Sequence, residues 1–341
     1  MDEYYDDDEN YDYEDSNGSK KGYAHFHIYI GIIYMAYCFT LMLLQTLIFL
    51  TFYKNRKTFQ KNMPFKIIFN LGIYSFLQQL SHFISGIFLI LNLSPQLWYG
   101  YMLSSLLQSS YITSIAFVLL LTINRFDVFF NIRLFKPTCR LKFFNTSIIS
   151  CHILFGLLYI FYLLPSFRIY FSSEAFCWQF EGEGIEVSIA FEVQNRTVIS
   201  LLTISVLFYI ITFIKIIHMR YVSSKNGKAN IKFSDFKILL QALFNFISIV
   251  LLELCWDLFA SVIFVLNNGY SISDLIYVLI SGNNTILTFV MSSDIRIKAF
   301  RLLCKKKDNY NNKININHVP VRMRFKSIQV GDLSKSKKFP A

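Results

Sequence analysis

Two carboxyl residues, Glu253 and Asp257, stand four positions apart in a strongly apolar segment of the chain. Residues four apart lie on one face of a helix, so the two groups can act together. Inside a membrane each carboxyl is costly unless it is paired, protonated or in contact with water. Two interpretations follow. The pair is a counter-charge for a basic or hydrogen-bonding ligand, or a protonated carboxyl bonds Asn283 or Asn284 across a helix interface.

A second residue of interest is Arg125, which stands between Asn124 and Phe126 at the end of the apolar run "LTINRF". An arginine within a bilayer is expensive and is often functional. On position alone it either marks the membrane edge, with its guanidinium reaching towards water, or serves a purpose at the end of the span.

The segments that carry these residues are predicted to cross a membrane. The chain has 341 residues, of which 54% are hydrophobic, with 36 Phe and 21 Tyr. An uncharged apolar run of roughly 18 residues or more is typical of a membrane span, and a span in lipid must satisfy its backbone internally as a helix. Several such runs occur, and we predict seven spans, at 26–53, 65–91, 101–126, 143–165, 197–219, 237–266 and 273–292. We therefore expect an all-α membrane protein with a seven-transmembrane helix bundle.

The distribution of basic residues predicts the orientation of this bundle. Four segments are strongly basic, namely the loops after spans one, three and five and the C-terminal tail, whereas the other loops hold only Arg168 and Arg196. Basic loops stay in the cytosol, so the N-terminus is expected outside. The net charge of +11 is then a topology signal and does not indicate nucleic-acid binding. The expected organisation is an acidic outer tail (1–25), the bundle (26–292), an amphipathic eighth helix (293–304) and a basic, disordered cytoplasmic tail (305–341).

Seven helices with an Arg closing span three look like a rhodopsin-type G-protein-coupled receptor. "LTINRF" more narrowly resembles the nematode serpentine chemoreceptor families of the class x or class v type. "NLGIYS", "CWDL" and "NTILT" lie where that scaffold has its motifs in spans two, six and seven, and "SDIRIKAFRLLC" resembles its eighth helix. The resemblance covers residues 26 to about 304. It implies a multi-pass plasma-membrane receptor of a kind that sensory cilia carry. Such a receptor is not an enzyme, needs no cofactor and couples to a heterotrimeric G protein, here through Asn124, Arg125, Phe126 and Asn284.

The sequence also departs from that scaffold in three ways. No span has an interior proline, so kinks must come from elsewhere or be absent. Gly100 stands where the scaffold opens span three with a cysteine, so Cys177 lacks its usual disulfide partner. Ser75 stands where a sodium-binding Asp is usual, which removes the expected sodium site.

Polar residues at helical spacing in the outer half of the bundle indicate a ligand site. A mostly apolar pocket with a few polar groups suits a small organic molecule. The candidates are Gln78 and His82 in span two, Gln108 and Tyr111 in span three, and Trp256 and Asp257 in span six. The alternatives are that the glutamines bond neighbouring helices and that Trp256 only packs, although its context also suits a rotamer switch.

The N-terminal run "DEYYDDDENYDYED" suggests a different ligand. Its acid-flanked tyrosines, Tyr4, Tyr5, Tyr11 and Tyr13, look like sulfation sites, and such tails resemble those of peptide receptors. An acidic outer face raises the association rate of cationic ligands. A receptor for a basic peptide is therefore an alternative, and a ligand-gated channel using Glu253 and Asp257 is a further one. Two more modifications are expected, glycosylation at Asn17 and palmitoylation at Cys304.

Overall fold

The computed structural model describes the backbone of residues 16–93, 98–130, 137–173, 175–182, 184–226, 240–241, 243–255 and 269–304. Side chains are described in the same ranges except at 16–26, 129, 137–138, 219–226 and 269–273. The described chain is mostly helical. Its helices are α1 (Ser16–Lys54), α2 (Arg56–Phe59), α3 (Met63–Ile90), α4 (Trp98–Phe130), α5 (Pro137–Leu163), α6 (Ile185–Asn226), α7 (Leu243–Cys255), α8 (Gly269–Ser281), α9 (Asn283–Met291) and α10 (Ser293–Leu303).

Six stretches of the described helices are long and apolar enough to cross a membrane. They are His27–Lys54, Met63–Ile90, Trp98–Val128, Cys139–Leu163, Ile185–His218 and Asp274–Met291. The shorter apolar helix α7 falls in the sixth predicted run, of which residues 256–266 lie outside the described part of the chain. These helices coincide with the seven predicted runs and confirm the predicted all-α membrane class.

The spans expose apolar side chains on their outer surface, and several of their hydroxyl side chains form hydrogen bonds with the backbone of the same helix. Leu157 on α5 and Phe213 on α6 are 63% and 59% exposed, as expected of residues that face lipid. Within the helices, the hydroxyls of Thr51, Thr122 and Ser205 each donate to the carbonyl four residues earlier, at 2.8 Å. These bonds let hydroxyl residues lie in apolar surroundings without an unsatisfied donor.

The most buried span is α4, which packs against α3, α5 and α6. The largest core cluster lies around it, where the rings of Tyr74 and Phe117 stack at 5.5 Å. Two smaller clusters mark the ends of the bundle. One includes Tyr34 and Phe171, and we call that side the hairpin end. The other includes Phe52 and Ile295, and we call that side the α10 end.

A short β-hairpin, which the sequence analysis did not predict, covers the hairpin end. Strands β1 (Ile169–Ser172) and β2 (Cys177–Phe180) pair antiparallel, with Ile169 opposite Phe180 and Ser172 opposite Cys177. Side chains of α4 hold it in place, because Ser104 donates to the Ile169 carbonyl at 2.6 Å and Tyr101 donates to Glu181 at 2.8 Å. The burial of β1 alternates along the strand, so one of its faces packs against the bundle.

The predicted start of span five, at residue 197, is wrong, because α6 begins at Ile185. Charged residues caused the error, since Glu192 and Arg196 were assigned to a loop. In the structure they form an ion pair one helical turn apart, at 3.0 Å, and Glu186 lies in the first turn. Such pairs, and an acid near a helix N-terminus, favour a helix that continues beyond the apolar segment.

The last span is broken at Gly282, between α8 and α9. A Cβ atom at Gly282 would overlap a terminal methyl group of Leu41 on α1, so a larger residue there would force the Leu41 side chain to move. On the other side of the break, the Tyr37 hydroxyl of α1 donates to the Leu279 carbonyl at 3.0 Å. The glycine break supplies an interruption that the missing proline cannot.

The predicted amphipathic helix corresponds to α10. Its N-cap is Ser292, whose hydroxyl accepts from the Ile295 amide at 3.5 Å. The sequence places Ile295, Ala299, Leu302 and Leu303 on one apolar face of this helix. Ile295 and Ala299 are fully buried against the bundle, whereas Leu303 is 61% exposed.

Candidate functional site

The centre of the bundle towards the hairpin end contains a buried phenol–carboxyl pair. The Tyr111 hydroxyl on α4 donates to the Glu253 carboxyl on α7, and both side chains are more than nine-tenths buried. The Tyr111 ring also contacts Tyr277 on α8 edge to face, with the ring centroids 5.2 Å apart. A carboxyl group in the interior thus has a neutral donor, which lowers the cost of its burial.

His82 on α3 completes this group of side chains. Its ring meets Tyr277 edge to face at 4.7 Å, and it is fully buried. Within the described part of the chain, neither ring nitrogen of His82 has a hydrogen-bond partner. A buried donor and acceptor without partners are costly, so this position favours binding a polar group from outside the described structure. We refer to His82, Tyr111, Glu253 and Tyr277 as the His82–Glu253 cluster.

The two predicted glutamines border this cluster. Gln78 donates to the Ser110 carbonyl at 3.2 Å and so links α3 to α4, as the helix-bonding alternative expected. Gln108 lies against the Tyr162 hydroxyl of α5, which is itself within electrostatic range of Tyr277. Four of the six predicted ligand residues are thus brought together. The other two, Trp256 and Asp257, lie outside the described residues.

A small polar cavity lies deeper in the bundle, among α3, α4 and α7–α9. Its volume is about 30 Å³, which is room for about two water molecules. Gln78 and Tyr111 line it from the side of the cluster. Its remaining polar lining comes from Ser75, Ser114, Asn245, Ser281, Asn283 and Asn284.

Next to the cavity, one polar face of α9 forms hydrogen bonds with three other helices, α1, α3 and α7. Asn284 donates to Ser75 at 3.2 Å and accepts from Asn245 at 3.3 Å. Thr285 donates to Gln45 on α1 at 2.8 Å and accepts from Gln79 on α3 at 2.9 Å. We call these six residues the α9 network. The resemblance had pointed to Ser75 and Asn284, whereas Gln45, Asn245 and Thr285 were missed because their partners lie far away in the sequence.

Arg125 lies near the α10 end of α4 and is only 2% exposed. It is therefore not an arginine that reaches out to water at the membrane edge. Its guanidinium lies within electrostatic range of Tyr209 on α6. Neighbouring Asn124 is fully buried, and its amide has no hydrogen-bond partner among the described residues.

The residues that follow Arg125 join α4 to its neighbours. The Phe126 ring stacks on Phe130 at 4.3 Å and meets Phe208 of α6 edge to face at 5.1 Å. Asp127 forms an ion pair with Arg140 of α5 at 2.5 Å. The segment is thus fixed on two sides, with Arg125 turned into the interior.

A second buried carboxyl, Asp274 on α8, was not singled out from the sequence. Its neighbour is Tyr34 on α1, and the thiols of Cys38 and Cys177 also lie within electrostatic range of its carboxyl group. Cys177 of β2 is a free thiol, and burial raises its pKa to about 12, with a further contribution from the Asp274 carboxyl. Asp274 therefore lies where α1, α8 and the hairpin meet.

The expected modification sites are only partly covered. The tyrosines at 4, 5, 11 and 13 lie outside the described residues. Asn17 lies in the first turn of α1, and its side chain is not described. Cys304 is an exposed free thiol at the C-cap of α10, where a lipid-modifying enzyme could reach it.

The amino-acid sequence matches the model of one known protein family. The family model described as "Serpentine type 7TM GPCR chemoreceptor Srx" matches residues 32–256, about two thirds of the chain. The matched region runs from α1 to the end of α7 and includes Arg125, Tyr111 and Glu253. No curated protein matches the chain.

Proposed function

The chain belongs to the Srx family of serpentine seven-transmembrane chemoreceptors, and from this premise we propose that it binds a small organic molecule and activates a heterotrimeric G protein. The family is a class of G-protein-coupled receptors and not of enzymes. The proposal assigns the ligand to the hairpin end, the G protein to the α10 end and the receptor to the plasma membrane, in sensory cilia where the expressing cell has them.

The observation that carries the ligand site is the His82–Glu253 cluster. It combines aromatic rings with a carboxyl group and with imidazole nitrogens that have no described partner. Few polar groups in apolar surroundings are what small-molecule sites use to fix orientation. We assign Gln78, His82, Gln108 and Tyr111 to this site, together with Trp256 and Asp257, which follow α7 in the sequence.

From this cluster the signal reaches Arg125 along α4, and it reaches α9 through the hydrogen bonds of the α9 network. Tyr111 and Arg125 lie on the same helix, and Asn284 is linked to α3 and α7 by hydrogen bonds. A ligand that changes the packing of α7 or α8 therefore acts on bonds that hold α9. The roles proposed for Asn124, Arg125, Phe126 and Asn284 follow from this connection and from the family.

Two experiments test the proposal, and the first concerns topology. Epitope tags at both termini are stained in cultured cells with and without permeabilisation. We expect the N-terminal tag to be stained on intact cells and the C-terminal tag to be stained only after permeabilisation. A hidden N-terminal tag would overturn the orientation that the basic loops favour.

The second experiment replaces Arg125 with Ala and measures surface level together with basal nucleotide exchange on a co-expressed Gα subunit. Arg125→Ala is expected to keep its surface level and to change nucleotide exchange. Arg196→Ala is the matched control, because Arg196 is highly exposed and lies at the hairpin end of α6. Equal loss of surface level and exchange would assign Arg125 a folding role instead.

The acidic N-terminal tail favours a second candidate, a basic peptide ligand. Nine acidic residues surround its four tyrosines within residues 2–15. Deletion of residues 1–16 separates the two candidates. A response to a small molecule should survive the deletion, whereas a response to a peptide should weaken and lose its dependence on salt.

A further inference from the structure

A groove opens between α1, α2 and α3 towards the α10 end, away from the His82–Glu253 cluster. Its volume is about 660 Å³, which lies in the range of sites that hold small organic ligands. Its walls combine aromatic rings with two basic residues. The lining residues on which the inference depends are Phe49, Phe52, Arg56, Phe59, Lys66 and Phe69.

The floor of the groove is a packed row of phenylalanine rings. The ring centroid of Phe52 lies 4.6 Å from that of Phe59 and 5.4 Å from that of Phe69. The rings of Phe49 and Phe69 meet edge to face, with their centroids 5.3 Å apart. The deepest rings are nearly fully buried, whereas Leu50 and Tyr53 on the rim are strongly exposed. The floor is therefore preformed, and its open side faces the region that lipid occupies around α1.

The rim of the groove carries positive charge without a matching acid. Arg56 and Lys66 both line it, and in the described part of the chain the ion pairs are formed elsewhere, by Arg140 and Arg196. Lys66 donates to Asn145 of α5 at 3.1 Å, a neutral acceptor that leaves its charge uncompensated. Two cations beside an apolar floor match an anionic head group joined to an acyl chain.

We propose that this groove binds one anionic phospholipid of the cytosolic leaflet. The phosphate lies between Arg56 and Lys66, and an acyl chain lies along the phenylalanine floor. Basic pockets on the cytosolic side of membrane helices suit such head groups, and the cytosolic leaflet is the one rich in anionic lipid. The basic C-terminal tail has the same sign of charge as the rim, which disfavours it as the occupant. The leaflet depends on the proposed orientation, whereas the groove and its ligand do not.

The test uses the full-length receptor purified and reconstituted in nanodiscs of phosphatidylcholine with or without phosphatidylserine. Native mass spectrometry then counts the phosphatidylserine molecules retained by each receptor. Nanodiscs have the same lipid in both leaflets, so the result does not depend on orientation or on signalling. The unmodified receptor should retain phosphatidylserine in preference to phosphatidylcholine, and soluble phosphoserine should not displace it.

Matched variants separate the groove from general surface charge. The double variant Arg56→Gln/Lys66→Gln should lose the preference, whereas Lys57→Gln/Lys61→Gln removes the same charge from nearby residues that do not line the groove and should keep it. Ile73→Trp, which fills the groove and leaves both cations, should also reduce retention. An unchanged preference in the first variant, or an equal loss in both double variants, would overturn the proposal. Displacement by soluble phosphoserine would reduce the site to a phosphate site without an acyl chain.

Discussion

The Tyr111 hydroxyl and the Glu253 carboxyl join α4 to α7 inside the bundle, with the phenol as the donor. The two residues are separated by 142 positions in sequence. Each would be costly to bury alone, and together they link the helix that carries Arg125 to the helix that leads to Trp256 and Asp257. The pair is therefore a structural bond between α4 and α7, and it is part of the ligand site that we propose.

Tyr111→Phe removes the donor but keeps the ring contact with Tyr277. We expect a loss of about 1 kcal/mol in stability, because the buried carboxyl group loses the hydrogen bond that the phenol donates to it. The loss is measured as a lower midpoint of thermal unfolding in detergent. Tyr53→Phe is the control, since Tyr53 is 80% exposed, and it should leave the midpoint unchanged. A double-mutant cycle with Glu253→Leu should show less than additive losses, and additive losses would mean that the bond contributes nothing.

Gly282→Ala places a Cβ atom where Leu41 already lies. Overpacking of this kind costs about 1–3 kcal/mol, so the surface level of the receptor should fall. Leu41→Ala combined with Gly282→Ala should recover part of it, because the smaller side chain makes room.

Gly156→Ala serves as the matched control for this glycine. A Cβ atom at Gly156, which is also helical, meets nothing within 4 Å. Its replacement should leave the surface level equal or slightly higher, since alanine favours helix over glycine by about 1 kcal/mol. If the two glycine variants have the same surface level, then the close contact of Gly282 with α1 does not contribute to stability.

Thr285→Val removes the hydroxyl that bonds Gln45 and Gln79 at the same volume. Hydrogen bonds between membrane helices contribute about 0.6 kcal/mol on average and up to about 1.7 kcal/mol, so two lost bonds should lower the unfolding midpoint measurably. Thr40→Val is the comparison, because the Thr40 hydroxyl bonds only the Ala36 carbonyl of its own helix. An equal effect of the two changes would argue against the α9 network as a tie between helices.

Cys177 should resist alkylation in the folded receptor. Burial raises the pKa of its thiol from an ordinary 9.0 to about 12, so the reactive thiolate is scarce at neutral pH. In detergent, exposed Cys139 should react with iodoacetamide much faster than Cys177, and denaturation should remove the difference. Mass spectrometry of the labelled peptides gives both rates.

The same shift predicts a dependence of stability on pH. Because the folded pKa is the higher one, the contribution of Cys177 is complete below about pH 9 and is lost as the pH rises towards 12. Cys177→Ser should make the unfolding midpoint less sensitive to pH in that window. An identical pH profile for both proteins would contradict the buried, protonated thiol.

The sequence predicted the elements of the fold better than it predicted their ends and contacts. Apolar runs identify spans because lipid penalises polar backbone wherever it occurs, so the prediction needs no partner residue. The start of α6 was missed because the charges of Glu192 and Arg196 are typical of a loop. Their ion pair, which stabilises the helix, is visible only in the structure. The hairpin was missed because two four-residue strands give too short a pattern.

The candidate site was predicted only in part, for the same physical reason. Gln78, His82, Gln108 and Tyr111 stand out because polar residues in an apolar span need partners. Which partners they have is a property of helix packing, and Tyr277, Thr285 and Gln45 carry no local signal of their own. Asp274 was missed because it begins its span, where a carboxyl group reads as a surface residue.

The break at Gly282 divides the last span between two tasks. The segment before it carries Asp274 and Tyr277, which face the hairpin and the ligand cluster, and the segment after it carries Asn284 and Thr285, which hold the α9 network. Because Tyr37 and Leu41 fix the junction from α1, each segment keeps its own register. Under the function that we propose, the two segments are constrained differently. Substitutions in α8 change the groups that a ligand meets, whereas substitutions in α9 break bonds between helices, so receptors on one scaffold can diverge in specificity through α8 while α9 preserves their output.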